Sequence, residues 1–307
     1  MKWQRHGVIW QPSGECTWAR SHATCPTPLV RLVGTLRIYL QCRDAAGVGR
    51  IAWIDLDPHD PRRVIGEASE PVLDIGAPGC FDDNGVFPTS VLRAPDGRVF
   101  LYYVGFELCH HIRYRLLTGL AVSDDDGQTF RRVSAMPVLE RSDAEPHFRC
   151  GTFVRHEGDR FRMWYVAGGE WETFAGKAMP RYDLRHVESR NGIAWPAQGQ
   201  CVMPLDELHE HGFGRPWVRG GNGDYEMFYS VRRREPAAHR LGYARSRDGI
   251  DWQRQDRELD LAPGADEWDG EAQCYGAPIE ADGRTWLLYN GNDFGATGLG
   301  IAERLHA

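Results

Sequence analysis

Short runs of aromatic and β-branched residues alternate along the chain with turns rich in Gly, Asp and Pro, and the 3.6-residue rhythm of an amphipathic helix is scarce. That pattern predicts an all-β chain. The most regular run ends in an aromatic pair or its equivalent: LRIYLQCRD, VFLYYVGFE, FRMWYVAGGEW, YEMFYSVR and TWLLYNGN. Its tyrosines, Tyr39, Tyr103, Tyr165, Tyr229 and Tyr289, lie 60 to 64 residues apart, so five units fill the 307 residues. A fixed period of this length is the signature of a repeat architecture.

A second repeat has the same period. SDDDGQTF begins at Ser123, SRNGIAW at Ser189 and SRDGIDW at Ser246, each after a strand-like run. The Asp or Asn followed by Gly makes a tight turn, and the aromatic three residues after the Gly (Phe130, Trp195, Trp252) starts the next strand. Each unit therefore reads as a four-stranded antiparallel meander, and five of them predict a five-bladed β-propeller spanning residues 1–307 as one domain. The last unit runs out of chain after GLGIAER, its third strand. The N-terminal KWQRH matches the DWQRQ that follows the turn of unit four, so Trp3 to Trp10 is expected to supply the missing fourth strand and close the ring.

Composition narrows the function. The net charge of −7 argues against nucleic acid or an anionic membrane as the main partner. No run approaches the roughly 18 apolar residues of a membrane span, and the N-terminus lacks the apolar core of a secretory signal. The eight cysteines show no zinc spacing, so they are expected to be reduced thiols in a cytoplasmic protein with no metal. Cys109-His110-His111 reads as a loop. No phosphate-cradling Gly loop or nucleophile elbow is present, and nothing calls for a cofactor. Oligomeric state is not legible.

Just before each predicted innermost strand the chain turns polar: SHATCPTPLV, FDDNGVFPTSV, AEPHFRCGTFV, HEHGFGRPWV and EWDGEAQCYGAPI. Counted back from the repeat tyrosines, His22, Asp83, Glu145, His211 and Glu271 fall at offsets of 17 to 20 residues, one ionisable group per unit. Ionisable groups belong on the exposed rim unless they serve a site. Ends of the second strands add Arg43, Glu107, Glu170 with Trp171, Arg232, and Asn290 with Asn292; Asp82, His147, Arg215 and Tyr275 lie close by. Charged groups and amides that bond hydroxyls, beside aromatic faces, suit a sugar or sugar conjugate. Cleaving a glycosidic bond takes two carboxyl groups. Asp83 is assigned as base or nucleophile and Glu271, flanked by Trp268 and Tyr275, as proton donor, with Glu145 orienting substrate. Each also has a structural reading: Asp82 or Asp83 as a cap of the Asn84-Gly85 turn, Glu145 as a solvated loop acid, Glu271 bonding backbone amides, His22, His147 and His211 as satisfied histidines, and Arg43, Arg215 and Arg232 as partners of acids. The acids of SDDDGQTF read as turn structure.

The pieces FDDNGVFPTS, GLAVSDDDGQTFRR, RMWYVAGGEW, LGYARSRDGIDW, WDGEAQCYGAPI and LLYNGNDFGATGLGIA together resemble the five-bladed propeller glycosidase superfamily, with glycoside hydrolase families 43, 32, 68 and 130. The resemblance spans nearly the whole chain and is nearer to a glycosidase-like branch found beside polysaccharide-synthesis genes. It implies an enzyme acting on a glycosidic or glycosyl-ester bond, by hydrolysis, transfer or phosphorolysis. In that superfamily an Asp near the first inner strand commonly acts as base or nucleophile; here that unit offers His22. An R-D-P motif is absent, AEPHF being the nearest match. A carbohydrate-binding propeller without chemistry, a protein-interaction scaffold and a sialidase are the competing readings.

Overall fold

The computed structural model describes residues 1–174, 176–235, 238–264 and 267–305, and among them the regular secondary structure is almost wholly strand. After β1 (Lys2–Trp10), four antiparallel meanders follow in chain order. The first is β2 (Ser21–Val30), β3 (Leu36–Arg43), β4 (Gly49–Leu56) and β5 (Val64–Glu67). The second is β6 (Val86–Arg93), β7 (Val99–Leu108), β8 (Tyr114–Ser123) and β9 (Arg131–Arg132). The third is β10 (Phe148–Glu157), β11 (Arg160–Phe174), β12 (Lys177–Ser189) and β13 (Gln200–Met203). The fourth is β14 (Glu210–Gly221), β15 (Asp224–Arg233), β16 (Ala238–Ser246) and β17 (Trp252–Arg254). The chain ends in β18 (Cys274–Ala281), β19 (Arg284–Asn290) and β20 (Leu299–Leu305). A sheet of order β1-β20-β19-β18 joins the two ends of the molecule, with Lys2 opposite Leu305 and Arg5 opposite Ala302. Short parallel contacts, Phe148 with Leu116 and Tyr182 with Gly212, link the second, third and fourth meanders along one continuous path.

The second strand of each meander carries the recurring aromatic run, and burial explains the recurrence. Tyr39, Tyr103, Trp164, Tyr165, Phe228, Tyr229 and Tyr289 are completely buried. Each such side chain contributes about 1.5–3 kcal/mol of transfer free energy on burial. The turns after the third strands also fall where the repeat puts them. In each, Ser Oγ (Ser123, Ser189, Ser246) accepts the Gly N–H, and the Asp or Asn carboxyl or amide oxygen (Asp125, Asn191, Asp248) accepts two backbone amides. The Gly carbonyl of each turn accepts a hydrogen bond from the preceding meander: Tyr39 Oη to Gly127, Tyr102 Oη to Gly192 and Trp164 Nε1 to Gly249. The turn motif thus staples neighbouring sheets.

Those bonds correct one alignment. Tyr39 corresponds in register to Tyr102 and Trp164, with Thr27, Ser90 and Phe153 as their partners on the first strands, so Leu40 stands where Tyr103 and Tyr165 stand. The other four repeat tyrosines share a network that the first meander lacks. Tyr103 donates to Asp82, Tyr165 to Glu145, Tyr229 to Asp256 and Tyr289 to Asp269. An arginine neutralises each acid: Arg132, Arg149 with Arg185, Arg254, and Arg5.

The first strands β2, β6, β10, β14 and β18 each have a break in register: between Thr24 and Thr27, Pro88 and Ser90, Cys150 and Phe153, Gly214 and Trp217, and Cys274 and Ala277. β2, β6 and β18 are sheet edges, and β10 and β14 meet the preceding meander only near Phe148 and Gly212, so Pro26, Pro88, Pro216 and Pro278 lie where one side of the strand is unpaired. A bulge turns backbone carbonyls and side chains away from the sheet.

Candidate active site

From the equivalent bulge of β14, Arg215 sends its guanidinium into the space between the inner strands. Nη1 donates to the carbonyls of Pro26 (3.0 Å) and Thr89 (3.4 Å), and Nη2 to those of Tyr275 (2.8 Å) and Gly276 (3.3 Å). One side chain thereby holds the bulges of three other inner strands, and it is 1% exposed. Beside it opens a cavity of about 1150 Å³. Thr24, Gln41 and Arg43 line it from the first meander, Phe87, Phe106, Arg113, Tyr114 and Leu116 from the second, and Cys150, Gly151, Lys177 and Tyr182 from the third. The fourth contributes His211, Phe213, Arg215, Arg232, Arg233 and His239, and the last sheet with its loops Glu271, Tyr275, Asp293 and Phe294. Every sheet reaches it.

Of the nominated residues, the cavity lining brings together Arg43, His211, Arg215, Arg232, Glu271 and Tyr275. It does not include the other two nominated catalytic acids. Glu145 is fully buried: Tyr165 Oη donates to both its oxygens (2.9 and 2.8 Å), Arg149 Nε lies at 2.5 Å, and Arg185 Nη1 and the Gly199 amide complete the set. It is a buried ion-pair centre, not a solvated loop acid. Asp83 caps its own turn, accepting from the Gly79 amide and from Asn84. Asp82, 1% exposed, is held by Tyr103 and Arg132.

The remaining nominees brace the walls. Asn290 is fully buried, accepting from the Cys25 amide at 2.7 Å and donating to the Ala23 carbonyl, which fastens β19 to β2. Asn292 Oδ1 accepts the amides of Glu271 and Ala272, both at 2.9 Å, and so fixes the Glu271 loop. Trp171 packs its ring on Tyr114 and Phe148, whereas Glu170 is exposed and paired with Arg181. Glu107 pairs with Arg115. His147 lies at the start of the β10 inner strand against Phe148. His22 bonds Ser21 Oγ through Nδ1 (2.8 Å) and leaves Nε2 buried without a partner.

Asp293 escaped the sequence reading, although it stands one residue after Asn292. It faces the cavity with Phe294, both at positive φ (47° and 57°). Tyr275 (56°), also in the lining, shares that conformation, as do His22 (66°) and Cys25 (59°) on β2. Left-handed backbone at non-glycine residues costs roughly 1–3 kcal/mol each and gathers where function holds it in place. Arg113, Lys177, Arg233 and His239 were missed as well; Arg233 ends the second strand β15, the kind of position that pointed to Arg43 and Arg232, whereas Arg113 immediately precedes the third strand β8 and Lys177 starts the third strand β12.

Cations outnumber carboxylates in the cavity lining. Burial pushes His22 down to about 4, and Arg43 pushes it in the same direction. Burial and then Arg232 push His211 down to about 4. His239 is driven well below the usual histidine value by burial, Arg232 and His211. All three are neutral at pH 7. Among the described residues no three His, Cys, Asp or Glu side chains converge as a metal site would require, and all eight cysteines are free. No described helix is long and apolar enough to cross a membrane.

No protein-family model matches the chain. Among solved structures, a glycoside hydrolase superposes with a TM-score of 0.73 at 19% identity, over 99% of this chain and 92% of that one. A thermostable family-43 glycoside hydrolase superposes with a TM-score of 0.68 at 14% identity, over 95% and 92%. The fold is that of the propeller glycosidases. At the level of sequence, the chain is 32% identical over 304 residues to the uncharacterized protein Rv1502 of Mycobacterium tuberculosis, which covers 98% of this chain and 99% of that protein. The chain belongs to the family of that mycobacterial protein, on a propeller glycosidase fold.

Proposed function

We propose that the five meanders are the blades of one five-bladed propeller, closed by β1, and that the cavity among their inner strands is the site of an enzyme of glycosidase type. Its bond is glycosidic or glycosyl-ester, in a sugar or sugar conjugate. The closure draws support from the antiparallel pairing of β1 with β20, which joins the two ends of the chain in one sheet. One observation carries the chemistry: Glu271 and Asp293 are the two carboxylates that line the cavity, and no described ion pair engages either of them. Glu271, on a loop anchored by Asn292, takes the role of proton donor. Asp293 takes that of the second carboxyl group, in place of Asp83, whose oxygens are engaged by its own turn. Tyr114, Tyr182 and Tyr275 supply faces for sugar rings. The eight free cysteines favour a reducing compartment.

Assaying the purified chain on a panel of glycosides and glycosyl phosphates tests this. Glu271→Gln and Asp293→Asn should keep the fold and each lower turnover at least about a hundredfold, the low end for acid–base catalysis. Wild-type turnover in both variants removes them from the mechanism. The reading as a binding propeller without chemistry has one observation in its favour: Glu145 and Asp82, the buried acids of the inner region, are fully committed to tyrosine and arginine partners. Sugar binding with no turnover by the wild-type chain would establish that reading.

A further inference from the structure

We infer that the ligand of this cavity is a phosphorylated sugar conjugate, with its phosphate or diphosphate held between Arg43 and Arg232 and drawn in by Arg113, Lys177 and Arg233. The inference rests on the reading of the cavity as a sugar site and names the class of sugar. Six cations line the cavity, Arg43, Arg113, Lys177, Arg215, Arg232 and Arg233, against the two carboxylates Glu271 and Asp293. The chain as a whole carries −7. The local excess is therefore opposite in sign to the molecule.

The cations are also unspent. Arginines elsewhere mostly pair with a carboxylate, as Arg37 does with Asp55, Arg185 with Asp183 and Arg254 with Glu210. Among the described residues none of the six cavity cations does; Arg215 gives its Nη atoms to four carbonyls, and its Nε is buried without a partner. Arg43 makes one side-chain bond, from Nε to Gln41 Oε1, and Arg232 bonds Tyr182 Oη while its Nε is buried without a partner. Tyr275 lies within the field of both arginines. Neutral hydroxyls would leave this excess of cations uncompensated. A phosphate or diphosphate carries more than one negative charge and enough oxygens to meet two guanidinium forks, whereas a single sugar carboxylate brings one charge and fills one fork. A volume of about 1150 Å³ exceeds the roughly 300–1,000 Å³ of ordinary ligand pockets, so a sugar, its phosphate and a further group can be accommodated, with Phe87, Phe106 and Tyr114 as apolar walls.

Calorimetric titration and thermal shift of the full chain at low and high salt, with glucose, glucuronate, glucose 1-phosphate, a nucleoside diphosphate glucose, and inorganic phosphate and pyrophosphate, test the inference. At least one phosphorylated sugar should bind at least tenfold more tightly than glucose, glucuronate or either inorganic anion, and more weakly at high salt. Arg43→Met and Arg232→Met should each weaken that binding at least tenfold, and the exposed Arg233→Ala and Lys177→Ala should lower it severalfold. If Arg232→Met fails to fold, Arg43→Met and the two exposed variants decide. Equal binding of glucose or glucuronate, equal binding of the inorganic anions, no response to any phosphorylated sugar, or full binding by the variants overturns the inference. The two readings fail separately. A phosphorylated sugar that binds through Arg43 but is never turned over removes the enzyme and leaves the ligand class. Glu271-dependent turnover of a neutral glycoside, indifferent to Arg43→Met, does the reverse.

Discussion

Tyr165 donates to both oxygens of Glu145 while Arg149, itself 3% exposed, lies 2.5 Å from it. Two buried charges survive here because their mutual attraction and a bond to every carboxylate oxygen offset the cost of taking both out of water. Glu145→Gln removes the acid and strands Arg149, so it should destabilise the fold by about 3–5 kcal/mol, measured by denaturant unfolding. A catalytic Glu145 would instead give a stable, inactive variant. Histidines set the pH dependence. His22 and His211 have folded values lowered to about 4 from 6.5. Between those values the unfolded chain binds protons that the folded chain refuses, so the stability present above about pH 6.5 is lost as pH falls toward 4. Replacing both histidines by Gln should flatten the stability profile in that window; an unchanged slope would assign the loss to other groups. The offset count found Glu145 because an acid that accepts from the repeat tyrosine recurs in four of the five units. It could not tell a carboxylate that serves the tyrosine from one that serves a ligand, since both occupy the same stretch of chain.

At the scale of elements, the inner strands decide the site. Each is bulged, and Arg215 collects the carbonyls that the bulges of β2, β6 and β18 release. Arg215→Met should cost at least about 3 kcal/mol, because several buried carbonyls lose their donor and an unsatisfied polar group costs roughly 1–3 kcal/mol. Thermal unfolding of the variant checks this, and Arg215→Lys should recover only part of the loss, since an ammonium cannot match the planar fork. The strands themselves were legible from period and turn chemistry. The bulges were not, because prolines at 26, 88, 216 and 278 mark an edge strand without saying which residue leaves the ladder.

For the whole molecule, the pairing of β1 with β20 ties residue 2 to residue 305. Deleting residues 1–10 exposes the edge of β20, removes the nearly buried Trp3 from its packing on Phe228, and leaves Asp269 without Arg5. Unfolding of the truncated chain should be shifted to lower denaturant along its entire cooperative transition. A melt equal to that of the full chain would mean that β1 is an appendage. The match of KWQRH to DWQRQ anticipated this partner, because the repeat assigns the fourth strand a residue pattern whichever end of the chain supplies it.

The sequence by itself determined the strand content, the period of about 60 residues, the stapling turns and the pairing of the first strand with the last, because local hydrophobic alternation and turn chemistry repeat wherever the same unit recurs. It also marked which stretches approach the centre. Only the tertiary structure decided which polar side chains within those stretches meet a ligand. Asp82 and Glu145 are satisfied by tyrosines of their own sheets, Arg215 by carbonyls of three other strands, and Asn290 and Asn292 by neighbouring backbone. Arg43, Arg232, Glu271 and Asp293 are left to face the cavity. A polar residue's partner depends on which strands lie beside it in space, and that information is distributed over all five units rather than written next to the residue.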